Sequence, residues 1–135
     1  MFDKAAAWAP QMLSTLRIVT ALIFLEHGTQ KLLGFPAGGR AAEAFTLSWF
    51  SGVIELICGL ALVVGFQSRL AAFVASGTMA FAYWIAHAPQ NFFPVNNSGD
   101  AAILYCFVFL YLVFAGPGPW SVDAAMREKE APRRA

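Results

Sequence analysis

Four apolar runs constrain this chain more than any other feature: Met12 to Leu33, Leu47 to Phe66, Leu70 to Ala88 and Ala101 to Ala115. A helix that crosses a bilayer needs about 20 mostly apolar residues, and the first three runs reach that length. The fourth covers only about 22 Å at the helical rise, so it must draw on flanking residues such as Asp100 and Gly116 or sit where the bilayer is thin. Composition points the same way. Hydrophobic residues make up 59% of the chain and charged residues 13%, whereas a soluble domain carries about 25% charged residues to coat its surface. This balance excludes a soluble globular domain and a disordered chain. A net charge of +1 with no dense basic stripe excludes a nucleic-acid partner. Alternating strand patterns are absent, which argues against a β-barrel. The expected fold is therefore all-α: one domain, residues 1–135, forming an integral membrane bundle of four transmembrane helices. The helices are expected at about 12–33, 47–66, 70–88 and 100–116, followed by a charged, frayed tail over 121–135.

The connections carry turn chemistry. Gly34-Phe35-Pro36-Ala37-Gly38-Gly39 breaks the first helix, and Gly116-Pro117-Gly118-Pro119 ends the fourth, where proline lacks the N–H a helix needs. Gln67-Ser68-Arg69 allows only a tight reversal, so the second and third helices are antiparallel neighbours. Arg17 interrupts the apolar stretch a cleavable signal requires, so the first helix is expected to remain as an anchor. Orientation follows from the basic residues in short loops. With the N-terminus inside, Lys4, Arg69, Arg127, Lys129, Arg133 and Arg134 face the cytoplasm, against Arg40 alone in an outer loop. Both termini are expected in the cytoplasm, with the chain crossing the membrane several times. Cys58 and Cys106 lie in separate runs with no CxxC or zinc-type spacing, and are expected to be packing residues.

Ionisable side chains inside spans are costly and each asks for a partner or a task. On the first helix, Arg17, Thr20, Phe24, His27 and Lys31 fall within one arc of about 80°, with Glu26 and Gln30 on the adjoining flank. Arg17 is expected to snorkel to the inner interface. Glu55 sits near the middle of the second run, where a lone carboxylate must be paired or protonated. Tyr83 and His87 share a face of the third helix, and Asp100 opens the fourth. With the expected topology, the candidate ligand-binding set Glu26, His27, Lys31, Glu55, Tyr83, His87 and Asp100 gathers in the outer half of the bundle. The set suggests a pocket open to the outer face. A pairing of Glu55 with Lys31 or His27 is equally suited to fixing helix register.

A quinone headgroup needs a donor for each carbonyl oxygen and a proton path, which His27, Lys31, Glu55 and His87 suit, and an apolar cleft suits its tail. Two His with two Glu, or two His alone, are chemically able to hold a metal or a haem, but the spacing is not diagnostic, so no metal is assigned. No nucleotide-binding motif is present. No catalytic residue set is identified, and whether the chain is an enzyme stays open.

The residues reached so far resemble the DoxX family of small bacterial membrane proteins. The likeness runs from Leu16 to Asp123 through Leu25-Glu26-His27-Gly28-Thr29-Gln30-Lys31-Leu32, Gly52-Val53-Ile54-Glu55 with Gly59 and Gly65, then Arg69. It continues through Ala82-Tyr83 with His87, Phe92-Phe93-Pro94-Val95-Asn96-Asn97 with Gly99, and Gly116-Pro117-Gly118-Pro119-Trp120-Ser121-Val122-Asp123. Where family members often carry Gly-Glu, this chain has Gly99-Asp100, a shorter carboxylate. The resemblance implies a four-helix inner-membrane protein linked to redox systems, since the family is named with a thiosulfate:quinone oxidoreductase. A quinone-linked accessory subunit with other membrane or redox subunits as partners is the leading expectation. A non-enzymatic assembly or anchoring subunit and a small-solute carrier are the alternatives; a carrier of four helices would need a homo-oligomer to form a path.

Overall fold

The apolar runs become helices whose ends are set by individual residues. The computed structural model describes residues 2–130, and these form helices α1 (Phe2–Ala6), α2 (Ala9–Leu33), α3 (Leu47–Val64), α4 (Ser68–Ala82), α5 (Pro94–Asn97), α6 (Asp100–Ala115) and α7 (Val122–Glu130). A π-helical turn, Tyr83–His87, continues α4. No β-strand occurs among the described residues. Helix α2 begins three residues before the apolar run, because Pro10 fits a first turn whose N–H groups are unpaired anyway. It stops at Gly34, which takes the left-handed φ of 67° and returns its N–H to Gln30. Helix α3 ends at Val64, short of the expected Phe66, because Gly65 is also left-handed, with φ 73°.

The charged tail is not frayed over 121–130: it folds as α7. The Ser121 hydroxyl accepts from the Ala124 N–H at 3.1 Å and so caps the helix start. The rest of the expected tail, including Arg133 and Arg134, lies outside the described residues.

Helices α2 and α3 pack closely, as do α4 and α6, with α3 meeting α4 and α2 meeting α6 more lightly to close the bundle. Glycine permits the α2–α3 approach: a Cβ on Gly28 would stand 2.7 Å from the Leu56 nitrogen and 3.0 Å from the Gly52 oxygen. Small residues do the same on α4, where Ala71, Ala72, Ala75 and Ser76 are buried, and the Ser76 hydroxyl donates to the Cys106 carbonyl at 2.8 Å. The centre is filled by Phe24, Leu62, Phe109 and Leu112, with Phe24 edge-on to Phe109 at 4.8 Å. Cys58 and Cys106 are both free.

Much of the exterior is apolar. Phe81 and Phe114 are 71% and 75% exposed, and many other large apolar side chains point outward. Such a surface suits lipid and not water. Segments Leu47–Val64 and Ser68–His87 are long and apolar enough to cross a membrane, and only 28% of each is buried within the chain. Helix α6, with 16 residues, is shorter. Helix α2 has 25 residues but falls outside that class, because Arg17, Glu26, His27, Gln30 and Lys31 interrupt its apolar run.

Arg17 does not snorkel to an interface. It is fully buried, because its guanidinium finds carbonyls that end other elements. Nε donates to Pro117 at 2.8 Å, Nη1 to Val63 at 2.9 Å and to Leu62, and Nη2 to Trp120. The arginine thus satisfies the unpaired carbonyls at the end of α3 and ties the 116–121 segment across that end of the bundle.

Candidate functional site

Lys31, in the last turn of α2, reaches across to α3. Its stem passes Gly52, where a Cβ would come within 2.9 Å of Lys31 Cβ. Lys31 Nζ lies 2.6 Å from Glu55 Oε1 and donates to Ser51 Oγ at 3.2 Å. Ser51, one turn before Glu55, donates its hydroxyl to the same Oε1 at 2.8 Å. Glu55 is 1% exposed, while Lys31 keeps 28% exposure. The pair meets the requirement that a buried charge be compensated. It does so through one oxygen only: Glu55 Oε2 is buried and has no hydrogen-bond partner among the described residues.

A cavity of about 590 Å³ opens beside this triad, between α3 and α4. Its polar lining is Lys31, Ser48, Ser51, Thr78 and His87, and its apolar walls include Phe50, Ile54, Phe81 and Ile85. Several wall residues also face outward, Phe50, Phe81 and Ile85 among them. The cavity therefore combines polar side chains with apolar walls, several of them at its exposed rim, a lining that suits an amphiphile.

His87 reaches the cavity from the π-helical turn, where the Ala88 N–H bonds to the Tyr83 carbonyl at 2.9 Å. Such turns re-aim side chains that a regular helix would place elsewhere. His87 Nδ1 lies 2.9 Å from the Asn97 carbonyl oxygen. A carbonyl only accepts, so Nδ1 carries the proton, and in the neutral ring Nε2 is left as an acceptor. Asn97 is itself buried and fixed, donating to the Asn91 carbonyl at 2.8 Å and accepting from the Gly99 N–H at 2.8 Å. Tyr83 stacks on His87 with ring centroids 6.5 Å apart and supports the imidazole from behind.

The seven residues singled out in the sequence do not form one cluster. The structure pairs Lys31 with Glu55 and puts His87 on the cavity that Lys31 lines, with Tyr83 beside His87. Glu26 and His27 are exposed on α2, and His27 sets its ring edge-on to Tyr105 at 5.9 Å. Asp100 is exposed in the first turn of α6. Ser51 and Asn97 belong to the site but were not in the sequence-based set. Ser51 was legible, four residues before Glu55 on the same helix face; Asn97 acts through its backbone and left no such signal. Among the described residues, no group of three or more His, Cys, Asp or Glu side chains converges as a metal site.

At the opposite end, Asp123 bonds across the α3–α4 reversal. Its two carboxylate oxygens accept from the Gln67 and Ser68 N–H groups, each at 2.8 Å. Burial pushes this carboxyl up. The bonds from Ser68 and Gln67 and the nearby Arg127 charge outweigh burial and hold it below the usual carboxylate range.

Helices with lipid-compatible exteriors around a polar internal triad define a helical membrane protein. The chain belongs to the DoxX family, whose profile matches residues 12–88. It is 41% identical over 122 residues to an uncharacterized protein of Haemophilus influenzae, covering 86% of this chain and 91% of that one. It is also 26% identical over 143 residues to a Mycobacterium tuberculosis protein described as an uncharacterized membrane protein, covering 91% and 86% of the two chains. No solved structure matches it.

Proposed function

We propose that this chain is a four-span protein of the bacterial inner membrane that serves a quinone-linked redox system as a subunit or accessory protein. The headgroup would sit in the cavity between α3 and α4. The observation that carries this is the Lys31–Ser51–Glu55 triad, with one carboxylate oxygen unpartnered, beside a 590 Å³ cavity that His87 also lines. The lining suits the group: the Lys31 ammonium is there to donate and His87 Nε2 to accept, among apolar walls.

A bound quinone supplies reversible two-electron, two-proton chemistry. Lys31, already held by Glu55, would donate to one carbonyl oxygen. His87, with its ring fixed by Asn97, would offer Nε2 as acceptor for a hydroxyl proton of the reduced headgroup. The apolar walls would shield the headgroup from water. Electrons come from a partner redox protein. The excess of basic residues at one end supports both termini in the cytoplasm, which puts the Arg17 and Asp123 end inside and the cavity in the outer half.

The test is photolabelling with a quinone analogue carrying a photoreactive tail. Label is expected on α3 and α4 and is expected to disappear in Ala86→Trp, which fills the cavity from an exposed position. Equal labelling of every outward face, unchanged by Ala86→Trp, would contradict it. A second reading has its own support: Lys31–Glu55 bridges α2 and α3 beside the Gly28 contact, where an ion pair fixes helix register in an assembly subunit. In that case the cavity binds no quinone and the variant changes nothing.

A further inference from the structure

We infer that α2 pairs with α2 of a second copy of this chain, parallel and along a seam that includes Glu26. The inference rests on reading α2 as a span and is independent of the quinone. Met12, Leu16, Val19, Ile23, Glu26 and Leu33 are exposed. Together with the partly buried Gln30 they follow one another at intervals of four and three residues over the whole of α2. That spacing is compatible with a seam between two supercoiled helices, and apart from Gln30, which donates to the Pro36 carbonyl at 3.3 Å, it lies on a face this bundle leaves open. A lipid-facing surface has no use for a carboxylate.

Glu26 and His27 supply the second argument. Both are exposed, and neither has an ion-pair or side-chain hydrogen-bond partner among the described residues; the only group set against His27 is the Tyr105 ring. Turned toward lipid, two adjacent ionisable groups inside a span are costly. A two-fold axis along the membrane normal removes the cost. In a parallel pair, a side chain at the heptad position of Glu26 inserts among four residues of the facing helix. Those four are the ones equivalent to Ile23, Glu26, His27 and Gln30. Glu26 of each copy therefore meets His27 of the other, an acid against a base, twice by symmetry. Acid and base one residue apart on a single helix are self-complementary in this arrangement, which is what identifies the occupant as a second copy.

The test is cysteine cross-linking in native membranes, with Cys58 and Cys106 replaced by alanine. Under mild oxidation, Val19→Cys and Ile23→Cys are expected to give a disulfide-linked species of twice the chain mass. Leu22→Cys beside the seam, and Leu60→Cys on the outward face of α3, are expected to give far less. His27→Ala is expected to weaken the dimer by roughly threefold to tenfold, the loss of one weak interhelical contact in each half, while Glu26→His combined with His27→Glu restores it. Monomer at every position, or cross-linking as strong through Leu60→Cys as through Ile23→Cys, would overturn the inference. Labelling of Ile23→Cys by a membrane-impermeant maleimide would instead overturn the span reading of α2 while leaving the seam intact.

Discussion

Arg17 and Lys31 are the two cations the fold draws inward, and they differ in what holds them. Arg17 meets only carbonyl oxygens, and its planar fork reaches carbonyls on separate segments at once. Lysine offers a single point of donation there. Arg17→Lys is therefore expected to strand at least one carbonyl and lower stability by about 2–4 kcal/mol, read as a fall in the unfolding midpoint in detergent; an unchanged midpoint would contradict this role. Lys31 instead answers a buried charge. Lys31→Met alone leaves Glu55 without its cation and is expected to cost about 3 kcal/mol. The double variant with Glu55→Gln is expected to recover much of that, giving a double-mutant coupling of about 1–3 kcal/mol. A coupling near zero would mean that the 2.6 Å contact contributes nothing in the membrane. Glu55 was legible in the sequence because a carboxylate amid an apolar run demands a partner. The task of Arg17 was not, because the carbonyls it binds lie about 45 and 100 residues along the chain.

The elements themselves were largely legible, since apolar runs of helical length have few other solutions in lipid. Their ends were less so. Gly65 stopped α3 early, and Tyr83–His87 widened into a π-helical turn. The α7 helix carried a sequence signal, Ser121 as cap with Asp123 in the first turn, but its charge suggested a solvated tail. Asp123 also joins α7 to the reversal between α3 and α4, and this makes the joint sensitive to acid. Its carboxyl is held below its ordinary value, so its contribution is present above the unfolded pKa of about 4 and is lost as pH falls through the lowered folded value. Wild type is expected to exceed Asp123→Asn in stability at neutral pH, and the gap to close on acidification below about pH 4. A gap constant from neutral to acid pH would show that the carboxylate charge does not matter.

At the scale of the whole molecule, the polar groups separate into two ends with different work. One end is closed by Arg17, Arg69 and Asp123, which satisfy helix termini: Arg69 donates to Phe114 at 2.7 Å and to Val113 at the end of α6. The other end holds the triad, the π turn and the cavity. Of the residues expected in one polar pocket, Lys31 and Glu55 pair and His87 lines the same cavity as Lys31. Glu26, His27 and Asp100 are exposed elsewhere, because helical arcs and depth do not say which neighbour a face meets. Family membership leaves the ligand open, so the central claim is that this cavity holds a quinone headgroup. Thermal unfolding of the purified protein with and without a short-chain quinone tests it most directly. A ligand at about 100 times its dissociation constant stabilises the folded state by about 2.7 kcal/mol. The account predicts a concentration-dependent rise in the unfolding midpoint for wild type and none for Ala86→Trp; no rise in wild type, or the same rise in both, would contradict it.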